Sequence, residues 1–342
     1  MFYFFLIIIL SIVFNELIIK KNFLLDNTHF SKHKKFTISS LRIPFSAGIF
    51  LILFITLFNQ DFNLFSLFLI IIIFLSGLLS DILKSFSPLL RLLIQIFASY
   101  LFITSNEIFI VNTRINSLDI LFTNYQYLSI IFTIFCIIVL INGSNFIDGV
   151  NINALGYYIV IYSIIFYICK INNFVINFDF LIKLILFLLF LLILNIYNKT
   201  QLGDGGSYLL AFFSAVSLIK LANDNSYISP YFIILLLWYP CFENLFSIIR
   251  KIYQNKKVSE ADNLHLHQLI FIFLKKKGLS SINNLTGLFI VIYNAIIFLI
   301  SIPYMNDTKI ILTIITLNVL LYICLYNKLA SDLLKKDNSN RN

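Results

Sequence analysis

The chain has 342 residues, of which 60% are hydrophobic and 12% charged, with a net charge of +9 at pH 7. A soluble domain sits near half apolar with about a quarter charged. Here the apolar residues fall in long blocks without alternation, which excludes an ordinary soluble fold and reads as membrane spans. No basic stripe is interleaved with exposed aromatics, so the positive charge does not point to nucleic acid. The cysteines, Cys136, Cys169, Cys241 and Cys324, sit in or beside apolar blocks with no CxxC, and read as small hydrophobes in a membrane.

The blocks predict an all-α polytopic membrane protein with about eleven spans, near 2–19, 43–60, 62–80, 89–105, 127–142, 153–170, 180–196, 206–221, 230–248, 285–302 and 309–326. The first block, MFYFFLIIILSIVF, lacks a basic start and a small-residue cleavage site, so it reads as a retained helix. Residues 1–330 form one integral-membrane domain with polar loops at about 20–42, 80–90, 142–152, 197–206 and 249–284, and 331–342 form a polar, fraying tail. With the N-terminus outside, the outward segments hold only Arg114, Lys170, Lys183, Lys220 and Lys309, leaving 20 of the 25 Lys and Arg inside. The positive-inside rule therefore places the N-terminus outside and the C-terminus in the cytoplasm.

Four polar clusters interrupt the blocks, all on the inward side by that orientation. The first is Ser80-Asp81-Ile-Leu-Lys84, followed by Arg91. Asp81 and Lys84 are one helical turn apart, which suits an ion pair at a helix end as well as a site. The second is Asn142-Gly-Ser-Asn145-Phe-Ile-Asp148-Gly149, whose three polar positions step by three along one helical face. Ionisable groups at membrane depth are costly and mark function by default, although a polar cap at the water boundary has the same pattern.

The third cluster is Gly203-Asp204-Gly205-Gly206-Ser207. Its glycines let backbone N–H groups approach an anion, and Asp204 suits a Mg²⁺ ion that shares phosphate oxygens; a plain turn between helices fits as well. The fourth is Asp262-Asn263-Leu264-His265-Leu266-His267, in the longest inward loop. In extended chain both imidazoles point the same way. Phosphate contact suits them better than zinc, because no cysteine is near. The QLIFIFLKKK that follows reads as an amphipathic segment on the membrane surface. His29 and His33 lie in a basic loop and read as solvated. Glu243, inside the ninth span, must pair with a partner that the sequence does not name.

In this order and on these helices, the clusters resemble the polyprenyl-phosphate N-acetylhexosamine-1-phosphate transferases, the family of MraY and WecA, over about residues 26–268. Asp81, Lys84 and Arg91 match the family's Asp-Asp-x-x-Lys segment and the basic residue after it. Asn142, Asn145, Asp148 and Gly149 match Asn-x-x-Asn-x-x-Asp-Gly, and Asn195 matches an Asn before the next loop. Gly203, Asp204, Gly206 and Ser207 match Gly-Asp-x-Gly-Ser, His265 and His267 match His-x-His, and Pro44 and Gly48 match the start of the second span. Three positions depart: Ser80 stands where the first Asp of the pair is usual, Asn151-Ile152 replaces a second Asp-Gly, and Phe45 replaces a frequent Arg.

The resemblance implies transfer of an N-acetylhexosamine 1-phosphate from a UDP-sugar to polyprenyl (undecaprenyl) phosphate, with release of UMP, to start cell-envelope polysaccharide synthesis. It implies a multi-pass bacterial inner-membrane enzyme with a cytoplasmic site, Mg²⁺ or Mn²⁺ as cofactor, and a homodimer as one assembly. By it Asp81, Asp148 and Asp204 are catalytic, with Asp204 and Asp81 on the metal. Lys84, Arg91, Asn142, Asn145, Asn195, His265 and His267 then bind substrate. A multispan transporter and a catalytically degenerate relative, the latter because of Ser80, are the alternatives. A transporter would carry its charges near the bilayer midplane.

Overall fold

The computed structural model describes residues 2–21, 24–25, 43–59, 61–83, 85–257 and 264–339. Lys84, Asp262, Asn263, His29 and His33 lie outside the described residues.

The described residues are almost wholly helical. In chain order the helices are α1 (Phe2–Lys20), α2 (Ser46–Phe58), α3 (Leu64–Ile82), α4 (Pro88–Ser105), α5 (Asn116–Asn124), α6 (Gln126–Ile147) and α7 (Asn153–Asn172). There follow α8 (Phe178–Ile196), α9 (Gly203–Asp224), α10 (Pro230–Leu236), α11 (Trp238–Tyr253), α12 (Leu266–Lys276), α13 (Ile282–Ser301) and α14 (Thr308–Ser339). Ordinary signals start them. The Asn63 and Asn177 side chains accept from backbone N–H groups opening α3 and α8, and proline occupies the first turn of α4 and α10.

Every predicted span falls on a helix or a helix pair, but the count differs from eleven. Among the described residues nine helices are long and apolar enough to cross a membrane, or ten if α10 and α11 make one span. α2 has 13 residues, about 20 Å at 1.5 Å per residue, short of a hydrocarbon core of about 30 Å. The predicted span 230–248 is broken: α10 and α11 meet at 73°. Pro240, in the first turn of α11, cannot donate back to Leu236, and the Tyr157 hydroxyl donates to that orphaned carbonyl at 2.7 Å. The segment after His267 does form an amphipathic helix, α12. Its apolar side packs on α13 and α14 instead of lying wholly on lipid.

α9 is the hub, touching α2, α3 and α6. The best apolar window of α9 is 83% buried, against 17% in α14. Around it runs an exposed apolar coat that includes Phe14, Phe97, Ile131, Phe289 and Leu321, as lipid contact requires. The first turn of α9 fits only because two neighbours lack side chains. A Cβ on Gly77 of α3 would lie 2.5 Å from the Gly205 nitrogen, and one on Gly48 of α2 would lie 2.7 Å from the Gly206 Cα. The glycines therefore bring three helix backbones together around Asp204.

Candidate active site

The ends of α3, α6 and α8 and the starts of α4, α7 and α9 meet at one end of the bundle, and most of the predicted polar residues meet with them. Asp81, in the last turn of α3, sits against the start of α9. Its carboxylate oxygens accept the backbone N–H groups of Asp204 and Gly205 at 3.1 and 3.2 Å. Those donors are among the N–H groups that a helix start leaves without an internal partner, and the helix dipole favours an anion there. The anion that the glycine-rich string approaches is thus Asp81, a cap supplied in trans.

Asp204 points its own carboxylate at Arg91 of α4, with 3.1 Å between Nη1 and Oδ2. The same Nη1 donates to the Ser80 hydroxyl at 2.7 Å, and the guanidinium lies 5.6 Å from the centre of the Tyr208 ring. The Arg91 and Asp204 side chains keep 21% and 25% of their exposure, so the pair is open to an incoming ligand. Ser80 therefore takes part in the site as a neutral acceptor for Arg91.

The end of α6 joins this centre to the histidines. Ser207 donates to the Asn145 side-chain oxygen at 3.5 Å, and the Asn145 amide approaches the Tyr208 hydroxyl at 3.4 Å. Asp148 caps α6, with its N–H on the Asn145 carbonyl. Phe146 packs on the His265 ring at 4.7 Å. The Gly149 backbone passes so close to His267 that a Cβ there would lie 2.2 Å from Nε2. His265 has extended backbone and caps α12, His267 lies in its first turn, and the two rings stack 5.8 Å apart at 7°. The sequence predicts side-by-side imidazoles only in extended chain; here His265 alone is extended and His267 is helical, yet the rings still stack. Burial, with the neighbouring His265 second, pulls the His267 pKa down to about 3, so that ring is neutral at physiological pH.

Two predicted residues are turned toward the backbone. The Asn142 amide donates to Ile138 in its own helix at 2.9 Å. Asn195 accepts from the Ile152 N–H at 2.8 Å and donates to the Thr200 carbonyl at 3.0 Å, which uses both ends of the side chain. Beside it Asn151 donates to Asn198 and Asn284 at 2.8 and 2.9 Å. This amide network pins Ile152 at φ +71°, a conformation that strains a β-branched residue. It is where the resembled family has Asp-Gly, so here side-chain amides hold a turn that glycine would make without strain.

Sequence reasoning did not foresee Tyr208 at the guanidinium, the amide network, or the partners of Glu243, which are His265 and Tyr322. A buried acid was the one available signal for the last of these. Among the described residues no three acidic, His or Cys side chains gather as a metal cage. The donors near Asp204 are hard oxygens, which fits an ion that takes one protein carboxylate and shares phosphate oxygens.

Residues 63–222 match the family model described as Glycosyl transferase family 4. That segment holds Asp81, Arg91, Asn145, Asp148 and Asp204, but not the histidines. Over 143 residues the chain is 29% identical to a Bacillus subtilis (strain 168) protein named "Probable undecaprenyl-phosphate N-acetylglucosaminyl 1-phosphate transferase". The aligned stretch is 41% of this chain and 40% of that relative. The matched segment, a little under half of the chain, coincides with the helices that assemble the carboxylate centre, so the likeness to glycosyl transferase family 4 falls on the site itself.

Proposed function

We propose that this chain is a membrane enzyme that transfers an N-acetylhexosamine 1-phosphate from a UDP-sugar to a polyprenyl phosphate. The observation that carries the reading is the meeting of Asp81, Asp204, Arg91 and Asn145 at one end of a lipid-coated bundle, within the family segment. A lipid phosphate at the bilayer surface and a water-soluble nucleotide sugar can both reach such a place. The excess of Lys and Arg on the same side supports a cytoplasmic site in a bacterial plasma membrane.

The nucleophile is a phosphate monoester whose second pKa is about 6, so near neutral pH it is mostly a dianion. Its oxygen attacks the sugar-bearing phosphorus, the bond to the bridging diphosphate oxygen breaks, and UMP leaves. Such a transfer needs positioning and charge neutralisation more than a base, so Ser80 in place of an Asp is compatible with activity. Arg91 is the cation poised to turn from Asp204 to a phosphate. Asp81 fixes Asp204 by capping the helix that carries it. Asn145 and Asp148 line the approach from α6, and His265 and His267 meet the diphosphate from the far wall. A bound Mg²⁺, or Mn²⁺ with the same preference for oxygen, would sit on Asp204, with Asp81 adjoining, and neutralise the diphosphate and leaving charge. Asn142 and Asn195 shape the wall behind these groups.

One observation favours a transporter: the broken pair α10 and α11. The break, at Leu236, Leu237 and Trp238, holds no ionisable side chain, whereas transporter breaks bind ions or substrate. The test is UMP release by membranes carrying the chain, given undecaprenyl phosphate, Mg²⁺ and a panel of UDP-N-acetylhexosamines. Release that depends on lipid, metal and Asp204 is the expected result, and the best sugar names the substrate. Folded protein that releases nothing overturns the reading.

A further inference from the structure

Glu243 is fully buried in α11. Its Oε1 accepts from His265 Nδ1 at 2.9 Å and from the Leu266 N–H at 3.3 Å. Its Oε2 accepts the Tyr322 hydroxyl of α14 at 2.7 Å. Holding a carboxylate wholly out of water is costly, and an apolar residue would close this corner more easily. The Oε1 contact has a chemical consequence. An ionised carboxylate has only lone pairs, so Nδ1 must carry the proton, and Nε2 is the nitrogen left for a ligand. Phe146 and the stacked His267 hold the plane of the same ring.

We infer that Glu243 is a positioning residue for the transfer reaction: it fixes the tautomer and orientation of His265, and Tyr322 fixes Glu243. The inference rests on the transferase reading for its catalytic meaning and on geometry alone for the tautomer. It makes the middle of α14, far outside the matched segment, part of the site. The titratable groups that face Glu243 are His265 and His267 from α12, Tyr322 from α14, and Tyr239 of its own helix, with Arg250 acting on Tyr322.

Two readouts test it. The chain has four histidines, so ¹⁵N-histidine labelling gives a short spectrum. His265 should show a protonated Nδ1 in the parent protein and lose that preference in Glu243→Gln, which keeps the shape and removes the charge. In turnover, Glu243→Gln should lower kcat about 10–100-fold, the usual effect of removing an orienting partner, with KM for the lipid phosphate nearly unchanged. The pH profile should shift, and the loss should vanish when His265 is already Ala. A His265 that carries its proton on Nε2 alone overturns the inference, as does a Glu243→Gln loss that adds in full to that of His265→Ala. Should Glu243→Gln not fold, Tyr322→Phe leaves the carboxylate in place, and a smaller loss with the same pH shift carries the test. If the parent releases no UMP, the transferase reading fails, while the spectrum still decides what Glu243 does to His265.

Discussion

The carboxylate centre and the histidine corner, joined through Asn145 and Phe146 of α6, solve opposite problems. At the first, Asp204 and Arg91 pair while still partly exposed, so either can exchange its partner for a ligand. At the second, Glu243 has no exposure and three donors from α12 and α14. The first region is built to be rearranged by what binds, and the second to stay as it is. A transfer between two phosphates uses both: charges that can be redirected, and a wall that does not yield when they are.

The sharpest way to break the comparison is Asp204→Ala. UMP release should fall to background in protein that still purifies folded, because that side chain belongs to the exchangeable pair and holds no helix in place. Asp81→Ala should instead strike the frame. It strips two charge-assisted bonds from the start of α9, each worth about 1.5–3 kcal/mol, and lower thermal stability in detergent should accompany lost turnover. Asp81→Asn, which keeps an acceptor, should recover part of that stability. Tyr322→Phe leaves a buried carboxylate oxygen short of a donor and should cost about 1–3 kcal/mol, read as a lower unfolding midpoint. Ser80→Ala removes one neutral partner from an arginine that keeps another. Its effect should be the smallest, under about tenfold in turnover, or about 0.5–1.5 kcal/mol. A Ser80→Ala loss as large as that of Asp204→Ala would show that Arg91 is not free to exchange.

The spans were legible because lipid demands long apolar runs, and each run stands out in this sequence. The break at Leu237 was harder to read, because one proline in an apolar stretch does not say whether a helix kinks or ends. The site residues were legible as types but not as roles. Asp81 reads locally as a partner for Lys84, three positions on, and no local pattern shows that it also accepts backbone donors 123 and 124 positions away. Asn195 looked like a ligand for substrate and spends both ends on backbone. Glu243 was legible as a cost without a cause, since its partners come from helices 22 and 79 positions along the chain. Local pattern reveals what a residue can do, and distant packing decides which of those things it does.

The cap that Asp81 places on α9 also bears on how the protein is made. α3 leaves the ribosome long before α9, carrying an acid at its end. The first turn of α9 then emerges with N–H donors that have no partner within their own helix. Each helix carries what the other lacks, so their docking is rewarded as soon as both are in the membrane, before α11, α12 and α14 have been synthesised. The carboxylate centre can therefore form while the chain that completes the histidine corner is still being made, and that corner can close only afterwards.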